Sequence, residues 1–179
     1  MLGKLTTEVA TARPDLLADP VHRALTSGAV RADEIMVAPI DPDLADTAAF
    51  CSAYDVPLES SANCVVVAGK REGELRYAAC VVLATTRADV NGVVRRWLDV
   101  RKASFAPMAE AVELTGMEYG GITPIGLPDK WPLLVDAAVV ATDLVVVGSG
   151  VRRSKIVLPG RVLAELPSAS VVEGLARPA

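Results

Sequence analysis

Thr115-Gly116-Met117-Glu118-Tyr119-Gly120-Gly121-Ile122-Thr123-Pro124-Ile125-Gly126-Leu127-Pro128 is the stretch from which the rest of the chain is read. Four glycines and two prolines fall within these fourteen residues. Glycine reaches left-handed backbone conformations that other residues disfavour and proline fixes φ, so the stretch reads as a shaped loop. Just ahead of it, Pro107 opens a helix that runs through Leu114, and Gly116 closes that helix at the loop entrance. Composition alone allows two readings. One is a tight connector between core elements; the other is a backbone nest whose N–H groups near Gly120 and Gly121 face an oxygen of a bound molecule.

Working outward, the downstream chain shows apolar runs at residues 133–135, 144–147 and 155–158, which read as strands. A short helix near 162–166 and a last strand near 170–172 follow. Upstream, residues 63–68 and 74–84 form a β-hairpin around a charged turn at 69–73. Val90, Val93, Val94 and Trp97 have helical spacing, with Arg95 and Arg96 on the outer side and Trp97 in the core, leading to a short strand at 102–105. Asp41-Pro42 supplies an N-cap and a first-turn proline for a helix to about Tyr54. A strand at 34–40 and a helix at 14–25, ended by Gly28, complete the set; residues 1–13 lack periodicity and are expected to be poorly anchored. Hairpins outnumber regular strand–helix alternation. The class is therefore α+β, with a mixed, largely antiparallel sheet.

A chain of 179 residues, 51% hydrophobic, can bury one substantial core. We expect one domain over residues 41–179, with residues 1–40 an N-terminal extension packed on it. Only 4% of residues are aromatic, which argues against a stacking platform for single-stranded nucleic acid. The formal net charge of −4 gives no global attraction to a polyanion, so any RNA contact has to be a local basic patch, weak or brief. No stretch is long and apolar enough for a bilayer span and no signal-peptide pattern opens the chain, so a cytoplasmic protein is expected. Cys51, Cys64 and Cys80 lack metal-ligand spacing and read as reduced thiols. The single histidine, His22, leaves no second partner for a zinc site or for a Ser-His or Cys-His pair. No cofactor and no metal are expected.

The run from Thr115 to Leu127 resembles the signature loop of the YbaK/EbsC family, the free-standing relatives of the editing domain inserted in bacterial prolyl-tRNA synthetases. The resemblance extends to Leu134-Val135-Asp136, to Val145-Val146-Val147-Gly148-Ser149-Gly150, to Lys155-Ile156-Val157-Leu158, and upstream from Asp46 to Val67, about residues 41–173 in all. It implies a curved, barrel-like mixed sheet surrounded by helices and a trans-acting aminoacyl-tRNA deacylase. The implied partners are aminoacyl-tRNA, held by its terminal adenosine and amino acid, and an aminoacyl-tRNA synthetase; neither DNA nor a membrane is implied.

The family pattern Ala-Lys-Thr-Leu matches Ala62-Asn63-Cys64-Val65, so Asn63 occupies the position of the usual catalytic lysine. Gly120 and Gly121 are then expected to hold the ester carbonyl, with Thr115, Gly116, Thr123, Pro124, Asp136, Gly148, Ser149 and Gly150 around the substrate, Asp136 either orienting the substrate amine or bracing the loops. Arg152, Arg153 and Lys155 are expected at the RNA phosphates, and Lys102, Arg152 or Arg153 could stand in for the missing cation. Restoring lysine at position 63 is expected to raise hydrolysis. The alternative is a pocket that binds aminoacyl-tRNA or a related small ligand without hydrolysis, which the uncharged Asn63 favours.

Overall fold

The structure is a computed structural model describing residues 2–179. From the N-terminus, β1 (Glu8–Val9), α1 (Asp19–Thr26) and β2 (Met36–Pro39) precede α2 (Thr47–Tyr54) and a long hairpin of β3 (Ala62–Arg71) and β4 (Glu74–Leu83). Next come β5 (Thr86–Ala88), a π-helical turn at Val90–Val94 running into α3 (Arg95–Leu98), β6 (Ala103–Phe105) and α4 (Met108–Thr115). Beyond the glycine loop lie β7 (Leu133–Asp136), α5 (Ala137–Val140), β8 (Val145–Gly148), β9 (Ser154–Leu158), α6 (Gly160–Leu163), β10 (Ala169–Val172) and β11 (Ala176–Pro178).

These strands make an antiparallel sheet in the order β1-β2-β9-β8 and a mixed sheet in the order β10-β7-β4-β3-β6. In the mixed sheet only the pairs β10–β7 and β7–β4 are parallel. The fold is therefore α+β and largely antiparallel, as the hairpin pattern requires. The sheets do not close into a barrel. They meet at one parallel bridge, Ser61 to Val146, with no further ladder pair between them among the described residues. β5 and β11 form a separate ribbon.

The small aliphatic composition decides the packing. β4 is buried on both faces from Ala78 to Val82, so its side chains serve two core clusters at once. Ala79 and Val81 join Val21, Leu25, Ile156 and Leu163 in the larger cluster, while Ala78, Cys80 and Val82 join Val67, Val94 and Leu98 on the other face. A third cluster packs α2, through Phe50 and Cys51, onto the outer face of β2, β8 and β9 at Ala38, Val146 and Val157.

Several local expectations are corrected. The hairpin turn is tighter than residues 69–73, because Glu72 and Gly73 both take left-handed φ (52° and 80°) and let the strands run to Arg71. The helices expected at 14–25 and 41–54 each break once. Leu17 and Ala18 take extended backbone, leaving a 3₁₀ turn at Pro14–Leu16 ahead of α1, which starts at Asp19 with Pro20 in its first turn. Asp41 caps only the 3₁₀ turn Pro42–Leu44, accepting from Asp43 N–H at 2.9 Å, and α2 starts afresh after Asp46. Trp97 is 48% exposed instead of in the core: the wide π turn re-phases the helix so that Val90, Val94 and Leu98 face inward. The N-terminal residues are anchored, since Leu5 and Ala10 are buried, β1 pairs with β2, and Lys4 N–H donates to Tyr54 C=O at 2.8 Å. Of residues 1–13, only Met1 lies outside the described part.

Candidate functional site

β6 covers β3 only from Val67 to Gly69, and β8 meets it only at Ser61, so the start of β3 is left with an open edge. There a cleft of about 360 Å³ opens, lined by Ala45, Asp46 and Thr47 before and in α2, Ala62 to Val65 on β3, Tyr119, Gly120 and Ile122 of the glycine loop, and Gly148, Arg152 and Lys155. Met108 closes one side.

Strand register explains the convergence. Two residues past the Ser61–Val146 bridge lie Asn63 on β3 and Gly148 on β8, and Gly148 pairs across β8–β9 with Lys155. Gly148 and Lys155 are thus ladder partners, and Asn63 lies across the open edge from Gly148, where no ladder pair joins β3 to β8. The middle position carries no side chain. A side chain from either flank can lean into that gap, and both flanks face α2.

Lys155 is 8% exposed, an unusual burial for an ammonium. Its Nζ donates to Ala45 C=O at 3.0 Å and lies 5.2 Å from the Phe50 ring centroid. Ala45 C=O is free to accept because the chain breaks helical geometry between the Pro42–Leu44 turn and α2. One of three ammonium donors is satisfied in this way, and the other two have no protein partner among the described residues. Burial pulls the Lys155 pKa below the ordinary lysine value, as does the Arg152 charge, while Cys51 and Asp46 push it back up. Opposite, Asn63 Oδ1 accepts from Thr47 Oγ1 at 2.7 Å, leaving the amide NH₂ without a protein partner.

The glycine loop is locked to the turn between β8 and β9. Gly150 N–H donates to Gly121 C=O at 2.7 Å, Glu118 N–H to Gly150 C=O at 2.8 Å, and Arg152 N–H to the Glu118 carboxylate at 2.7 Å. The Arg152 guanidinium bonds Tyr119 C=O and Pro42 C=O, tying the loop to the segment before α2. A β-carbon on Gly148 would stand 2.5 Å from Gly121 O, and one on Gly121 would stand 2.9 Å from the Val151 backbone. These glycines exist for backbone-to-backbone contact. Gly148→Ala is accordingly expected to destabilise the fold by about 1–3 kcal/mol, read as a lowered midpoint in urea with unchanged slope.

Within this loop Gly121 N–H is consumed by Glu118 C=O at 3.0 Å, whereas Gly120, at φ +79°, lines the cleft with an N–H that has no backbone acceptor among the described residues. The residues lining the cleft thus offer Gly120 N–H, the Asn63 amide and the Lys155 ammonium as donors, beside the Arg152 guanidinium that is held by Tyr119 and Pro42 C=O. The Asp46 carboxylate is exposed at its rim and caps no helix N–H.

The model of the aminoacyl-tRNA editing domain matches residues 41–166. The chain belongs to the aminoacyl-tRNA editing domain family. Among solved structures, this editing domain is similar to a candidate trans-editing enzyme for prolyl tRNA synthetase, with TM-score 0.72 and 20% identity over 87% of this chain and 94% of the other. It is also similar to a structure from a study of epitope grafting onto scaffold proteins, with TM-score 0.73 and 19% identity over 87% and 95%. A protein described as hypothetical gives TM-score 0.69 and 21% identity over 79% and 90%. At these identities the likeness is one of fold. Among curated proteins none matches.

Of the residues singled out from sequence, the editing domain brings Asn63, Gly120, Gly148, Arg152 and Lys155 to one cleft. Others lie elsewhere. The Asp136 carboxylate caps α5 through Ala138 N–H at 3.2 Å and accepts from Ala176 N–H at 3.1 Å, bracing the C-terminus. Ser149 is wholly buried, bonded to Val151 C=O and Ser154, and Gly150 packs on Ala18. Arg153 reaches away to Asp15 C=O. Gly116 is the left-handed cap of α4, against Pro20. Thr115 and Pro124 line a different cleft, of about 510 Å³, between α1 and the second half of the loop. Thr123 is buried with its Oγ1 unpartnered. Lys102 is exposed and outside the cleft lining.

Asp46 and Thr47 are polar lining residues that the sequence did not single out. The usable signal was Asp46-Thr47 itself, an N-cap pair hidden behind the earlier Asp41-Pro42. Cys64 also lines the cleft, but burial raises its thiol pKa, which keeps it protonated and a poor nucleophile.

Proposed function

We propose that this editing domain hydrolyses the ester of a mischarged aminoacyl-tRNA in trans, with Lys155 supplying the cation that Asn63 does not. The observation carrying this reading is the buried Lys155 ammonium, with two free donors, in the cleft that also holds Asn63 and Gly120. An aminoacyl ester is already activated, so the site's tasks are to hold it, stabilise charge and admit water. In the proposed arrangement the substrate's α-ammonium pairs with Asp46, and Gly120 N–H and the Asn63 amide donate to the ester carbonyl oxygen. As water adds, negative charge grows on that oxygen and then on the departing ribose oxygen. The Lys155 ammonium, poorly hydrated where it lies, stabilises both stages more than an exposed lysine could.

The lowered pKa fixes a sign. The folded protein gives up the Lys155 proton at lower pH than the unfolded chain does, so as pH rises through that window toward 10.5 the folded state gains stability. Over the same window the cleft loses the Lys155 charge. Enzyme-dependent hydrolysis, corrected for spontaneous ester loss, is expected to fall while stability in urea rises, and a parallel rise of both would oppose the assignment.

The reading is tested by incubating a panel of aminoacylated tRNAs with the protein and scoring ester loss beside retention on a filter. Acceleration of ester loss for at least one amino acid is expected. Retention without hydrolysis selects the binding-only alternative, which Asn63 favours because its amide is a neutral donor.

A further inference from the structure

We infer that the groove at the tip of the β3–β4 hairpin is a docking surface for the phosphates of the RNA whose charged end enters the cleft. The inference rests on the deacylase reading for the identity of the RNA and goes beyond it in assigning the contact. Residues 70–102 carry eight Lys and Arg against four Asp and Glu, whereas the rest of the chain carries ten against eighteen. This end is thus net positive in an acidic protein, as is the shorter run of Arg152, Arg153, Lys155 and Arg161. At the hairpin tip Lys70, Arg71, Arg95 and Arg101 line a groove of about 520 Å³ beside Glu72 and Asp99. Asp99 is already engaged by Arg71 at 2.5 Å and lies near Arg76 at 3.9 Å. Lys70, Arg95, Arg96, Arg101 and Lys102 have no carboxylate partner within ion-pair distance among the described residues.

The cations expected to meet phosphate from sequence are otherwise occupied. Arg152 clamps Tyr119 and Pro42, Arg153 is held by Asp15 C=O, and Lys155 is buried. The hairpin groove is instead joined to the cleft by one segment: Arg101 lines the groove and Met108 lines the cleft. They are seven positions apart, at most about 25 Å of extended chain, a distance that a single-stranded 3′ end and its adjoining stem readily cover. Between them Lys102 and Phe105 are exposed, Phe105 at 59%, and Trp97 stands half-exposed beside the groove on α3. Cations for phosphate beside aromatic faces for an unpaired base or sugar are the chemistry of an RNA surface, and the continuity of this strip with the cleft selects the RNA over an acidic protein.

The test is binding of uncharged tRNA to the intact protein and to Lys70→Gln/Arg101→Gln/Lys102→Gln, three exposed positions, between 50 and 200 mM salt. The variant is expected to bind at least about tenfold more weakly, with a log–log salt slope shallower by about 2–3, near 0.9 per lost phosphate contact. Its single-turnover hydrolysis of an aminoacyl ester of adenosine is expected to match the wild type. Unchanged affinity and slope overturn the inference, as they would if the surface served an acidic protein. An equal loss on neutralising Arg23 and Lys130 also overturns it, because the effect is then one of net charge. If the wild type hydrolyses neither tRNA nor adenosine esters, the deacylase reading falls, and tRNA affinity still decides this surface.

Discussion

Lys155→Gln is expected to lower single-turnover deacylation by roughly thirty- to thousand-fold, about 2–4 kcal/mol of transition-state stabilisation. Glutamine removes the charge and leaves a neutral amide one bond short of the Nζ position, so the packing of α2 over Phe50 and Val157 is expected to survive. Stability is expected to hold or to rise, because a lysine that is 8% exposed, its ammonium with one hydrogen bond, carries a desolvation penalty that glutamine lacks. Loss of rate without loss of urea stability separates a role in chemistry from one in folding. A variant that is as active as the wild type would leave the chemistry to Arg152 or to the neutral donors of the cleft.

The second large effect concerns position 63, and geometry reverses the expectation drawn from sequence. Asn63 and Lys155 flank Gly148 on facing strands, so a lysine placed at 63 in the wild type would aim a second ammonium into the same gap. Two like charges there each lower the other's pKa, and one gives up its proton. Asn63→Lys alone is therefore expected to leave hydrolysis unchanged or slower. In the Lys155→Gln background the same substitution moves the single cation one strand over from Gly148 and is expected to recover at least tenfold of the lost rate, read in the same single-turnover assay. Failure of the double variant to recover, with its fold intact, would mean that the two positions do not serve one charge.

Long β-branched runs made β3, β4, β8 and β9 legible, because a strand buried on both faces has to be apolar throughout. The helix preceding the glycine loop was legible from Pro107 and Gly116, whose backbone preferences are local. What escaped depends on tertiary context. β1, β5 and β11 are two or three residues long and exist only because a partner strand lies beside them. Trp97 was drawn inward by a helical period that the π turn at Val90–Val94 shifts. At the site, Asn63 stood out as a departure from a pattern, and Gly120 and Gly148 as glycines next to apolar strands. Lys155 could be named only as one of three basic residues in a row of neighbours. Its burial is decided by α2 folding over β9, and no local feature of Ser154-Lys155-Ile156 reports that. Asp136 and Ser149 read as ligand groups for the opposite reason: polar side chains beside strands look alike whether they face a substrate or satisfy backbone N–H and C=O groups.

The account turns on ester hydrolysis in the cleft at the open edge of β3. The most direct measurement is single-turnover loss of the amino acid from a complete set of charged tRNAs, run with the wild type and Lys155→Gln side by side. The account predicts that at least one ester is lost far faster than it hydrolyses spontaneously, and that the substitution returns that rate toward the spontaneous one. Equal rates for the two proteins, or no acceleration by the wild type on any charged tRNA, would contradict it.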